Sequence, residues 1–226
     1  MAVLEGGTSA QLLEIGVPTA GTVGPNVSGN QTLKALPYGN LGHYAVSVRF
    51  ALVAAQAANS RLFEMRNTGT NLIVPTRLRI HWLQTANHTA AIEDSLDMFK
   101  VTGFTAVDTT NTVTPAVSTK RLNMAAAPGG AAIRHVTVAG AAAGMTGGTL
   151  TKDASATESI PMFFLATLPT TGMNITFDDF LANAGMHHPY VFSQNEGFEI
   201  ENRVLLGAAA GSSVYIHFAW AEVTNY

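Results

Sequence analysis

The clearest pattern along the chain is alternation. Tyr44, Val46, Val48, Phe50 and Leu52 occupy every second position, with Ala45, Ser47, Arg49 and Ala51 between them. That is the period of a strand with one face in a core and the other turned outward. The segment Ser213 to Val223 repeats it most cleanly: Val214, Ile216, Phe218 and Trp220 take one face, and Tyr215, His217, Ala219 and Ala221 the other. Leu78, Ile80 and Trp82 likewise alternate with Arg77, Arg79 and His81. Further strands are expected at about 61–66, Ile133 to Val138, Met162 to Leu168, Asn174 to Phe180, Tyr190 to Gln194 and Phe198 to Leu206. Turn formers separate them, among them Asn67-Thr68-Gly69-Thr70-Asn71 and the small-residue run Ala208 to Ser212.

Three stretches depart from that rhythm. Thr89 to Phe99 fits a short helix, with Thr89 as N-cap and Ile92, Leu96 and Phe99 on one side. Residues 102–119 are rich in Thr and Val with Pro115 inside, so they are expected to be extended or loop-like. Residues 125–148 hold two Ala/Gly blocks, too poor in large side chains to build a core. Eight or nine strands with at most one short helix predict an all-β chain, a jelly-roll-like antiparallel β-sandwich forming a single domain over 43–226. No fixed period repeats, which disfavours solenoids and propellers. Residues 1–42 carry turn formers such as Gly24-Pro25-Asn26 and Tyr38-Gly39-Asn40 and no periodicity. They read as an extended N-terminal arm that needs a neighbouring subunit to hold it.

Composition adds one constraint. Of the 226 residues, 47% are hydrophobic and only 12% charged, against about 25% charged in an ordinary soluble domain. Something other than dense surface charge is expected to cover this protein. A net charge of −3 gives no broad basic field for nucleic-acid phosphates. Without cysteine, disulfides, thiolate nucleophiles and cysteine metal sites are excluded. No run approaches the roughly 18 apolar residues of a membrane span. Glu5 and its flanking glycines do not fit a signal peptide, and Met1-Ala2 offers no acylation signal. The expectation is a soluble chain outside the usual export route, with no membrane and no specific nucleic acid among its partners.

Candidate chemistry is sparse. His187-His188 with Asp178-Asp179 invite a metal, but adjacent residues of an extended chain point to opposite faces and no His-x-His or His-Glu-x-x-His spacing is present. An exposed or interface loop before Pro189 explains them more simply. Carboxylates group at Glu93, Asp94 and Asp97, at Asp178-Asp179, and at Glu199 with Glu201. Glu199 and Glu201 share one strand face, as Arg77 and Arg79 do in theirs, and such faces can pair across strands or across a subunit boundary. Arg49, Arg61, Arg66, Arg77 and Arg79 crowd into 31 residues whose only acid is Glu64. This imbalance favours an ion-pair ladder or interface over a nucleic-acid groove, since no stacked aromatics interleave with it. No nucleophile elbow, P-loop or dinucleotide fingerprint stands in a strand-to-helix context. No cofactor and no catalysis are expected, and the four sequons starting at Asn26, Asn30, Asn87 and Asn174 are expected to stay unmodified.

Phe192-Ser193-Gln194-Asn195-Glu196-Gly197-Phe198-Glu199-Ile200-Glu201-Asn202, then Val204-Leu205-Leu206, a small-residue loop, and Phe218-Ala219-Trp220-Ala221-Glu222-Val223 resemble paired C-terminal strands of bacteriophage virion structural proteins. Phe63-Glu64-Met65-Arg66-Asn67-Thr68-Gly69-Thr70-Asn71-Leu72 is similar to their second strand and turn. The resemblance spans roughly 42–223. It implies a non-enzymatic β-sandwich building block, often trimeric, located in the virion and assembled in the host cytoplasm. Its partners would be the major capsid protein or neighbouring structural subunits. A capsid cement or decoration subunit is the leading expectation, with Arg49, Arg66, Arg77, Arg79, Glu199, Glu201 and Trp220 as candidate interface residues. A neck, fibre or tail module binding a host-surface glycan through Tyr190, His187 and His188 is the alternative, and a glycan hydrolase using Asp178 or Asp179 a weaker third.

Overall fold

The computed structural model describes residues 2–6, 11–15, 41–88, 90–119, 130–167, 173–177, 190–207 and 211–224. Among them fourteen strands are found and no helix. The first two, β1 (Ala2–Gly6) and β2 (Gln11–Ile15), pair only with each other, antiparallel, with Ala2 opposite Ile15. The region read as an extended N-terminal arm contains this strand pair, while residues 7–10 and 16–40 lie outside the described residues.

All remaining strands join two antiparallel sheets. The five-stranded sheet contains β3 (His43–Leu52), β5 (Leu72–Gln84), β8 (Ser118–Thr119), β12 (Met173–Phe177) and β14 (Ser212–Val223), in the order β12-β5-β14-β3-β8. The other has β4 (Ser60–Asn67), β6 (Ile92–Ala106), β7 (Thr112–Val113), β9 (Ala131–Val136), β10 (Thr149–Lys152), β11 (Glu158–Phe164) and β13 (Gly197–Asn202), in the order β10-β6-β13-β4-β9-β7, with β11 also on β6. Their inner faces share one core, in which Phe218 of one sheet meets Phe63 and Phe198 of the other edge-on at 6.3 and 5.2 Å. This is an all-β sandwich, and its core positions on β3, β5 and β14 are those the alternation marked.

The helix expected over Thr89 to Phe99 is absent; β6 runs through it from Ile92 to Ala106. Ile92, Leu96 and Phe99 fit a helical spacing, but Leu96 and Met98 also fit a strand. Two partners decide between them, because β6 pairs with β11 on one edge and β13 on the other. Pairing on both edges overrides weak local propensity. Tyr190 to Gln194 contributes one isolated bridge, Phe192 to Ile73, in place of a strand. The strand expected at Phe198 to Leu206 ends at Asn202.

Gly197 shows how closely β13 and β4 approach. A side chain there would collide with the carbonyl oxygen of Met65, so only glycine fits where the two backbones meet.

Candidate functional site

The arginine-rich stretch is divided between the two sheets. Arg49, Arg77 and Arg79 lie on β3 and β5, and Arg61 and Arg66 on β4. On the five-stranded sheet, Tyr215 stands opposite Arg49 on one side and His81 on the other, His217 opposite Ser47 and Arg79, and Ala219 opposite Ala45 and Arg77. Their core-facing neighbours are buried, which places these residues on the outer face. The Arg49 guanidinium sits 5.5 Å from the centre of the Tyr215 ring and its Nη2 donates to Ser213 Oγ at 3.5 Å. His81 meets the same ring edge-on at 5.7 Å. Arg79, His81, Leu83 and Tyr215 line a shallow depression of about 390 Å³.

The outer face of the seven-stranded sheet is different, because other parts of the chain cover it. Glu64 alternates with the core residues Phe63 and Met65, so its carboxylate turns away from the core, yet it is fully buried. Residues 107–110 lie over it: the Asp108 amide donates to Glu64 Oε1 at 2.8 Å, and the Gly148 amide donates to Asp108 Oδ1 at 2.6 Å. Arg61 reaches Asp108 Oδ1 at 3.2 Å and Glu199 Oε2 at 3.9 Å. Lys152 Nζ binds Glu201 Oε2 at 2.6 Å while resting 4.4 Å from the centre of the Phe99 ring.

Burial dominates the acidity of this cluster. It raises Glu64 to about 7, helped by the neighbouring Asp108 carboxylate, and Glu199 to about 8, helped by Glu201. The hydrogen bond from the Asp108 amide and then Arg61 oppose the rise at Glu64, and Arg61 and Lys152 that at Glu199, without cancelling it. No group of three or more His, Asp or Glu side chains able to hold a metal ion is present among the described residues.

Of the seven candidate interface residues, Arg49 is exposed and Arg66, Arg77 and Arg79 are partly exposed. Trp220 is completely buried, stacked on Phe218 with ring centroids 5.2 Å apart. Glu199 and Glu201 are buried too, and their cationic partners are Arg61 and Lys152, within the same sheet. Their matched spacing with Arg77 and Arg79 finds no pairing, because those arginines belong to the opposite sheet. Arg66 donates to Asn195 Oδ1 at 2.7 Å. His187, His188, Asp178 and Asp179 lie outside the described residues. Sequence reading missed Asp108, in a stretch read as extended or loop-like, and Lys152, at the end of the short strand β10, which carries no alternating pattern. Glu64 was visible only as the lone acid among the arginines.

Compared with known proteins, the chain matches no family model and no curated protein.

Proposed function

We propose that this protein is a non-enzymatic structural subunit of a virion, a cement or decoration protein that stabilises a capsid through contacts with shell proteins and with copies of itself, as a trimer. The observation that supports this most directly is how few charges are left for the surface. Seven of the fifteen acidic residues, Glu64, Asp94, Asp97, Asp108, Glu199, Glu201 and Glu222, are buried. The exterior is therefore hardly richer in charge than the sequence as a whole, of which 12% is charged. Charge-poor surface is characteristic of the centres of protein interfaces. The open face around Arg49, Arg79 and Tyr215 supplies the arginine and tyrosine that such centres favour.

The test is the position and copy number of the chain in an intact particle. Many symmetric copies seated between shell proteins are expected, and absence from purified particles would sink the reading. A chain lacking residues 1–40 should lose most of its particle binding; unchanged binding would remove the N-terminal clamp from the mechanism.

A second reading, a glycan-binding module of a neck or fibre, draws on the depression beside Tyr215. Retention of a host-surface glycan by the isolated protein, abolished by Tyr215→Ala, would favour it.

A further inference from the structure

The covered face of the seven-stranded sheet holds four carboxyls, Glu64, Asp108, Glu199 and Glu201, and two cations that contact them, Arg61 and Lys152. Every carboxyl is buried, with Glu64 and Asp108 at 0% exposure. Four full negative charges against two positive ones are untenable in so dry a place. The cluster balances when two carboxyls keep their protons. Oxygen satisfaction points the same way. Glu64 Oε2 and Asp108 Oδ2 have no hydrogen-bond donor, and Glu199 Oε2 has only the long approach of Arg61. Each is satisfied if a proton is shared between Glu64 and Asp108 and another between Glu199 and Glu201.

The remaining charged groups on this face are bonded to groups outside the cluster. Arg66 donates to Asn195 and Arg134, opposite Glu64 in register, donates to the carbonyl of Ile133. On β6, Asp97 takes the hydroxyls of Ser95 and Ser159, both at 2.6 Å.

The covering strap is attached through the same cluster. Asp108 belongs to the strap 107–110, whereas Arg61, Glu64, Glu199 and Glu201 belong to the sheet beneath and Lys152 to β10, the edge strand of that sheet. The strap's other links are few: the Thr109 and Thr110 amides donate to the Thr146 carbonyl and the Thr146 amide donates back to the Thr110 carbonyl, while the Met145 amide, next to Thr146, donates to the Arg61 carbonyl. Charging the interior therefore acts directly on what holds the cover down.

We propose that this cluster is a proton-operated latch: while two of its four carboxyls carry protons the strap lies closed on the sheet, and as those protons leave in mildly alkaline solution the strap lifts. The latch is a property of the chain itself and does not rest on the virion reading. Lifting hydrates Glu64 and Glu199, returning them to ordinary carboxylates, so opening is coupled to proton release. Each coupled proton raises the opening constant about tenfold per pH unit between the ordinary carboxylate range and the raised closed-state value.

The probes are the amides of Asp108 and Gly148, which donate into the cluster. In the full-length protein, hydrogen-exchange protection corrected for intrinsic rate should fall at least about tenfold at these amides between roughly pH 6 and 8.5. Amides of β5 and β14 should hold theirs. Glu64→Gln and Glu199→Gln, which keep the shape of the protonated acid, should each reduce the fall, and together abolish it. Equal protection of the Asp108 and Gly148 amides at both pH values in the wild type would overturn the latch, as would an undiminished fall in the double variant. Should the variants not fold, infrared spectroscopy of the wild type decides. A protonated-carboxyl band that persists at neutral pH and disappears at alkaline pH supports the proposal, and its absence at neutral pH refutes it.

Discussion

The outer faces of the two sheets share one sequence signature and have opposite fates. On both, polar and charged residues alternate with core residues: Arg77, Arg79 and His81 along β5, and Glu199 and Glu201 along β13. The first set reaches the surface or borders it. The second is sealed by the strap 107–110 and, over Glu201, by the Lys152 side chain from the edge strand β10, with exposures of 1% and 4%. Alternation reports which side of a sheet a residue takes and says nothing of what lies over that side. For charge this is decisive, since an ion pair in water is worth at most about 1 kcal/mol while breaking a buried one costs about 3–5 kcal/mol.

The difference can be broken most violently from the backbone. Gly197→Ala drives a methyl group into the Met65 carbonyl and must separate β13 from β4, the two strands that carry Glu64, Glu199 and Glu201. A loss of more than about 4 kcal/mol is expected, large enough to unfold a domain of ordinary stability. The amount of folded protein and its urea midpoint measure it, and a loss below 1 kcal/mol would mean that the two backbones are not in such close contact.

A pair of arginine substitutions tests the faces against each other. Arg61→Met strips the covered cluster of the cation that Asp108 and Glu199 share and should cost about 3–5 kcal/mol at neutral pH, less as acid protonates the carboxyls left behind. Arg49→Met, on the open face, gives up one long hydrogen bond and the approach to the Tyr215 ring and should stay within about 0.5 kcal/mol. Denaturant unfolding of the two variants side by side reads the contrast; equal costs would mean that the covered face is in truth wet.

The same division explains what the sequence made legible. The inner faces of β3, β5 and β14 were readable because a residue facing the core must be apolar at every second position, and Val214, Ile216, Phe218 and Trp220 obey that without exception. The β6 strand was not, since Leu96 fits a helical period with Ile92 and Phe99 and a strand period with Met98, and only β11 and β13 choose between them. Glu199 and Glu201 were seen as a charged face, without the partners they have inside the chain. Their true ones, Arg61 and Lys152, are 138 and 49 residues away in the chain, and which strands become neighbours is not written in any local pattern. Asp108, in a threonine-rich stretch with no alternation, had no signal to offer.

Histidines supply the smallest effect, and one of opposite sign to the latch. His88 is buried at the end of the five-stranded sheet, its ring 4.6 Å from that of Phe164 and its Nδ1 without a partner. His135 on the other sheet stacks over Phe50 at 6.3 Å. Burial pushes both below the ordinary imidazole value of 6.5, His135 despite its contact with the Val136 carbonyl. In the window between the depressed folded-state value and 6.5 the unfolded chain binds more protons than the folded one, so stability is full above 6.5 and declines as pH falls through that window. His88→Phe keeps a ring against Phe164 and removes one titrating group. The variant's urea midpoint should fall less than the wild type's between about pH 7 and pH 5, while its response to alkaline pH, which belongs to Glu64 and Glu199 on the covered face, should be unchanged. An altered alkaline response would show that the two sheets are coupled through the shared core and that the latch does not act alone.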